Sequence, residues 1–373
     1  MPQPVRRVVI IGAGLAGLRT AERLRERGFA GVIELLGAEQ HLPYDRPPLS
    51  KAVLRGERGE TVLRAEAEFD ALRVQPRLGE AAVAIDVAAG VVHTKLGEVA
   101  YDAVVIATGA VPRRLAGIEG HVLRTLDDAL ALREALRPGV RLAVIGAGLV
   151  GCEVAASARA MGVEVDLVDV LAGPMIRVVG PAVAGLVAQL HAEQGVHLHL
   201  GADPADVARL AGEADEVLVA VGAVPDTGWL AGSDVAVGDG VLCDADGVAA
   251  PGVYAVGDVA SWAGRRHEHW TRAGEQADHV AALITGQPVR GPQVAYWWSD
   301  QYGLKLQGLG SPSADDDVEV LQWGPKARTV AVYSRNGALT GVVGFAAAAA
   351  IMRLRGEIEA GADVAGVIAS LRG

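Results

Sequence analysis

The chain has 373 residues, room for two or three domains at roughly 100–200 residues each. With 51% hydrophobic and 21% charged residues it is neither disordered nor a coiled coil, and a formal net charge of −11 argues against general binding to nucleic acid or anionic membranes. Its two cysteines, Cys152 and Cys243, lie 91 positions apart, which gives no disulfide framework and no zinc spacing, and no apolar run reaches the roughly 18 residues of a membrane span.

The first predicted element is a strand, Arg6–Ile11, a β-branched run of the kind buried on both faces. Gly12, Gly14 and Gly17 interrupt it, so Arg6 and Arg7 lead a strand into a turn and not a signal peptide. A helix is expected from Leu18 to about Arg27, stopped by Gly28, then a strand Val32–Leu36 and an acid, Glu39, 22 residues after the last glycine. Strand, GxGxxG, helix, strand, acid is the order of a dinucleotide-binding unit.

The pattern then repeats. Arg141–Ile145 is a strand, Gly146, Gly148 and Gly151 form the turn, Cys152–Met161 the helix and Val163–Val168 the next strand, with Asp169 as its acid. A second match supports duplication: Val104–Pro112, containing Ala107-Thr108-Gly109, shares six of nine residues with Val217–Pro225, containing Gly222. A later strand signal ends at Gly257-Asp258, after the second copy, so the second copy reads as an insertion into the first. The expected division is 1–112 with 236–295 as one domain, 113–235 as the second and 296–373 as a small α+β third. In that third domain, strands are expected at Lys305–Leu309, Val318–Gln322, Val330–Tyr333 and Leu339–Val343, before a final helix.

Two dinucleotide sites on one chain suit a division of labour between a retained flavin and an exchanging nicotinamide. Glycines let backbone approach a pyrophosphate at a helix N-terminus, where amides and dipole favour negative charge. Glu39 and Asp169 would each accept hydrogen bonds from an adenosine ribose. An acid there repels a 2′-phosphate, so NADH is expected over NADPH, with Arg177 the residue that would offset this.

Pro43-Tyr44-Asp45-Arg46-Pro47-Pro48-Leu49-Ser50-Lys51 and Trp298-Ser299-Asp300-Gln301-Tyr302 resemble segments of the NADH-dependent ferredoxin reductases. These are FAD flavoproteins that feed cytochromes P450 and ring-hydroxylating oxygenases. The resemblance covers nearly the whole chain, including Thr125–Ala129. It implies a glutathione-reductase-like α/β fold with an FAD domain, an NAD domain and a C-terminal domain. It implies Asp258 on a ribitol hydroxyl of FAD, Arg46, Pro48 and Lys51 along the flavin, and Trp298 bordering it. Lys51 would lie near N5 as the one catalytic side chain, a cation favouring negative charge on reduced flavin. Ala295-Tyr296 departs from the family's Pro-Trp, and Asp169 stands where the family usually has Glu. Four of six tryptophans fall between Trp262 and Trp298, which suggests flat side chains gathered at a ring-shaped cofactor, although core packing alone would account for two or three of them.

The resemblance implies hydride transfer from NADH to FAD and single electrons onward to a separate [2Fe–2S] ferredoxin, because two cysteines cannot ligate a cluster in this chain. Both cysteines read as small buried residues, which disfavours disulfide reduction. His267-Glu268-His269 is not expected to bind metal, since the two rings are expected on opposite faces of irregular or extended backbone and no third ligand is nearby in sequence. Arg265, Arg266, Arg272, Arg290 and Lys305 are candidates for a basic ferredoxin-docking patch. The rival activities are an NADH oxidase or quinone-type reductase, and a redox-sensing flavoprotein similar to apoptosis-inducing factor. A cytoplasmic location is expected.

Overall fold

The structure, a computed structural model, describes residues 5–59, 61–289, 291, 293–313, 315–324 and 328–372. It divides into two compact units. The first comprises Met1–Asp45, Glu60–Val111 and Ala223–Gln293, and the second Arg46–Gly59, Pro112–Gly222 and Val294–Gly373.

The first unit is built on a six-stranded sheet in the order Val248–Ala250, Val253–Ala255, Ala103–Ile106, Arg7–Ile11, Val32–Gly37 and Val74–Leu78. Arg7–Ile11 pairs in parallel with both neighbours, and Val8, Val9 and Ile10 are fully buried, as strands covered on both faces require. Val253–Ala255 pairs in parallel with Ala103–Ile106, so the first sheet is completed by chain that arrives after the second copy. Helices Leu15–Glu26 and Trp270–Ile284 pack together, the latter burying Ala273, Ala277, Val280 and Ala281. A three-stranded antiparallel sheet, Ala82–Asp86, Val91–Thr94 and Gly97–Ala100, has no counterpart in the sequence reading.

The second unit holds a parallel sheet in the order His197–Leu200, Glu164–Asp169, Arg141–Ile145 and Glu216–Val219. It also holds a five-stranded antiparallel sheet, Tyr296–Gln301, Leu304–Gly310, Ala338–Phe345, Arg328–Arg335 and Asp317–Trp323. The expected tail strands are all present, each longer by one or two residues at either end. Trp297 packs against Gly308, where a Cβ would meet the indole ring, so glycine there is a packing requirement.

The compact units cut across the expected three-way division. Arg46–Gly59 groups with the second unit because Leu54 is fully buried in its core, with Leu132, Val154 and Tyr333. Residues 223–235 group with the first because Leu230 and Val235 join that unit's core.

Both fingerprint helices begin earlier than expected, at Leu15 and Leu149 and not at Leu18 and Cys152. Gly17 and Gly151 therefore sit inside the first helical turn. Neither has a positive φ; a Cβ on either would land on the carbonyl oxygen of Gly12 or Gly146. The third glycine serves close packing of helix on strand and does not make a turn.

Candidate functional site

The two fingerprint turns are built alike. Gly12 (φ +118°) and Gly146 (φ +108°) take conformations that L side chains rarely adopt. A Cβ on Gly12 would strike the Ala107 carbonyl, and one on Gly146 would come within 2.5 Å of the Ala220 carbonyl. Each turn thus lies against the end of the strand that carries the repeated Ala-x-Gly, Ala107-Thr108-Gly109 in one case and Ala220-Val221-Gly222 in the other. Gly109 and Gly222 both have positive φ, +76° and +97°.

The middle glycines differ in kind. Gly14 and Gly148 cap their helices in extended conformation with no side-chain hydrogen bond, no acid occupies either first turn, and nothing lies within 4 Å of where a Cβ would stand. Uncapped helix amides facing open space beside a glycine fit a pyrophosphate. Both turns pass this test.

In the first unit, Glu39 accepts the Tyr44 hydroxyl at 2.5 Å, and Asp45 accepts the Trp270 indole N–H at 2.8 Å. Gly257 (φ +75°) brings its short turn against the fingerprint helix, 2.8 Å separating a would-be Cβ from that of Ala16. Asp258, next in sequence, is thereby set at that helix N-terminus. In the second unit, both oxygens of Asp169 are engaged by backbone: Oδ2 accepts Ala147 N–H at 2.7 Å and Oδ1 accepts Leu171 N–H at 2.8 Å. The Ala147 carbonyl in turn accepts Met175 N–H at 2.7 Å, so this turn is clasped on both sides.

Lys51 is not a solvated surface lysine. Its side chain is 12% exposed and its ammonium lies 2.6 Å from Glu153 Oε2 and 2.9 Å from the Pro47 carbonyl, all within the second unit. Glu153 also accepts the Ser50 hydroxyl at 2.5 Å and the Ser299 hydroxyl at 2.8 Å. The sequence reading missed Glu153. The available signal was a single acid in the helix Leu149–Ala160, which is otherwise apolar up to Ser157. Pro48 lies in the short helical turn Pro47–Ser50, Arg46 donates to the Arg124 carbonyl at 3.0 Å, and Trp298 stacks on Tyr296 with ring centroids 5.8 Å apart.

Other expectations change. Trp262 and Trp297 are core residues, the first donating its indole N–H to the Ala255 carbonyl, so core packing accounts for two of the four clustered tryptophans. His267 and His269 do not diverge: their rings stack at 6.3 Å with planes 27° apart. The expectation had strand geometry reversed, since residues i and i+2 of an extended chain share a face. Burial lowers the pKa of both imidazoles, and among the described residues no group of three or more His, Cys, Asp or Glu is placed to hold a metal.

Three of the basic docking candidates are already paired: Arg266 with Asp239 and Glu268, Arg272 with Glu275, and Lys305 with Asp300 at 3.7 Å. Arg265 is exposed, and Arg290 lies outside the described residues. Cys152 and Cys243 are free and buried. Burial raises both thiols, Cys243 to about 12, leaving no thiolate for disulfide chemistry near neutral pH. Among the described residues, no helix is long and apolar enough to cross a membrane.

The chain is similar to known proteins along most of its length. It is 36% identical over 343 residues to the biphenyl dioxygenase system ferredoxin–NAD(+) reductase component of Paraburkholderia xenovorans, covering 84% of this chain and 83% of that protein. The ferredoxin reductase for the CYP199A2 system from Rhodopseudomonas palustris matches with TM-score 0.85 and 32% identity over 94% of this chain and 93% of that one. The covalent putidaredoxin reductase–putidaredoxin complex matches with TM-score 0.88 and 28% identity over the whole of both chains. A reductase C-terminal family model matches residues 296–369, which contain the five-stranded sheet. Residues 6–277, carrying both glycine turns, match the pyridine nucleotide-disulphide oxidoreductase model, and the chain belongs to that family.

Proposed function

We propose that this chain is an NADH-dependent ferredoxin reductase, passing electrons from NADH through FAD to a separate [2Fe–2S] ferredoxin that serves a cytochrome P450 or oxygenase. The observation that carries the reading is the pair of matching glycine turns in a chain without a reactive thiol. The similarity to reductases named for ferredoxin and dioxygenase systems supports it.

The functional division is 1–112 with 236–295 for FAD, 113–235 for NADH and 296–373 for the third domain. The first turn, through Gly12, Gly14 and Gly17, holds the FAD pyrophosphate on the helix amides, with Glu39 on the ribose. Gly257 and Asp258, beside the same helix N-terminus, hold the ribitol end. By resemblance Arg46, Pro48, Lys51 and Trp298 are assigned to the flavin ring. Gly146, Gly148 and Gly151 hold the NADH pyrophosphate, with Asp169 and the Gly222 strand end beside it.

When bound, the flavin supplies the conversion of a hydride's electron pair into the single electrons an iron–sulfur protein accepts. The chain's work is positioning and charge. Glycines bring backbone donors to phosphates, and the Glu153-paired ammonium of Lys51 favours negative charge on the ring. The two buried, unpaired cysteines and the use of NADH are consistent with a cytoplasmic protein.

The test is electron transfer with purified protein. It should be yellow, release about one FAD per chain on denaturation, and reduce cytochrome c with NADH only when a [2Fe–2S] ferredoxin is added. Rapid oxygen consumption or quinone reduction without ferredoxin would replace the reading with an oxidase or quinone reductase.

A further inference from the structure

Within the second unit a chain of buried polar side chains joins the two segments that carry the family resemblance, Pro47–Lys51 and Trp298–Tyr302. Its direction follows from chemistry. The Gln301 amide nitrogen lies 3.4 Å from Met175 Sδ and 3.1 Å from Ser299 Oγ. A thioether only accepts, so this end of the amide is the donor and Oε1 faces His191. His191 Nε2, 3.0 Å from Oε1, must then carry the ring proton. Nδ1 is left with its lone pair and takes the Tyr302 hydroxyl at 2.7 Å. Because Ser299 Oγ accepts from Gln301, its own proton goes to Glu153 Oε1, 2.8 Å away.

Every bond from Tyr302 to Glu153 therefore points one way and ends on the carboxylate that holds Lys51. His191 and Ser299 are 0% exposed and Gln301 is 1% exposed, so water cannot substitute for a missing partner. Burial pushes His191 down to about 4, the neutral form this direction needs. An amide has no labile proton to hand on in its ordinary form, so the chain orients its members and does not conduct protons.

We propose that Gln301, His191 and Tyr302 are positioning residues that turn the Ser299 hydroxyl onto Glu153 and so fix the Lys51 ammonium. Their effect on electron transfer rests on the reading above that sets Lys51 beside the flavin. Losing one member frees the next to rotate. The effect on Lys51 should fade with distance along the chain.

The test measures the flavin midpoint potential and the melting temperature of the holoenzyme for Lys51→Met, Ser299→Ala, Gln301→Met and Tyr302→Phe. Lys51→Met should move the potential to more negative values. Ser299→Ala, Gln301→Met and Tyr302→Phe should move it the same way by successively smaller amounts, and none should move it further in a Lys51→Met background. Tyr302→Phe removes one hydroxyl at the rim and keeps the proposal testable if Gln301→Met fails to fold. Lower melting temperatures with unchanged potential, or shifts that add to that of Lys51→Met, would overturn the positioning role alone. A silent Lys51→Met would overturn both the flavin assignment of Lys51 and this proposal with it.

Discussion

The two glycine turns share their backbone plan and part company at the acid that follows. In the first, Glu39 takes a tyrosine hydroxyl from the Pro43–Asp45 stretch of its own unit. In the second, Asp169 is one methylene shorter and turns back on its own loop, accepting Ala147 and Leu171 amides. Duplicated sequence thus gives two kinds of acid after the second strand, one tied to a side chain and one that also braces the turn. The glycine spacing is common to both, and the place of the acid makes the difference: Asp169 directly follows Val168, whose carbonyl takes the Gly146 amide, while Glu39 comes three residues after Leu36, whose carbonyl takes the Gly12 amide.

The sharpest way to break the likeness is to load the third glycine. Gly17→Ala or Gly151→Ala must push a Cβ into a backbone carbonyl, at a cost of about 4 kcal/mol or more. Thermal melting should fall by about 10 °C, with flavin lost from the first variant and NADH binding from the second. Gly148→Ala meets nothing within 4 Å, so its melting temperature should stay within about 2 °C of wild type while NADH binding by calorimetry weakens. Equal melting losses for Gly148→Ala and Gly151→Ala would remove the distinction drawn between the two positions.

Acid separates the second unit by its own histidine. Burial holds His191 near 4 in the folded chain, against an ordinary value near 6.5. Between those values only the unfolded chain binds the extra proton, so there is no penalty above pH 6.5. Stability then falls as pH drops, by roughly 3 kcal/mol at pH 4. Urea unfolding at pH 7 and pH 4.5 should show His191→Gln losing less than wild type over that interval. An unchanged difference between the two pH values would exclude His191 from the acid response.

Asp169→Ala addresses the acids directly. Two amides lose their acceptor, for about 1–3 kcal/mol, and the preference for NADH over NADPH should narrow as the repulsion against a 2′-phosphate disappears. If stability falls while the preference for NADH stays intact, the acid braces the turn and does not read the ribose. The smallest effect is expected from the cysteines. Cys152→Ser with Cys243→Ser should keep most NADH-to-ferredoxin activity in steady-state assays, and complete loss in a folded protein would revive a thiol mechanism.

Much of this was legible because periodicity and glycine spacing are local properties. Arg141–Ile145 matches its strand residue for residue, and Gly28 and Gly162 stop their helices with φ of +82° and +79°. The helix starts were misread because a glycine looks the same in sequence whether it serves a turn or a close contact. Gly17 belongs to the second kind. Glu153 escaped notice because its partners, Ser50, Lys51 and Ser299, come from segments about 100 residues before it and 146 after it. The stacked rings of His267 and His269 were misjudged because residues i and i+2 of an extended chain share a face.

The discontinuous first sheet also has a consequence for synthesis. Its central strands, through Ile106, are made early, yet Val253–Ala255 must still be added beside Ala103–Ile106. At about 5–20 residues per second, the 146 residues between Ile106 and Val253 take roughly 7–30 s to emerge. The second parallel sheet, begun at Arg141, has its last strand by Val219. On the ribosome the later-encoded sheet therefore has all its strands before the earlier one can, and the apolar edge at Ala103–Ile106 waits uncovered in the meantime.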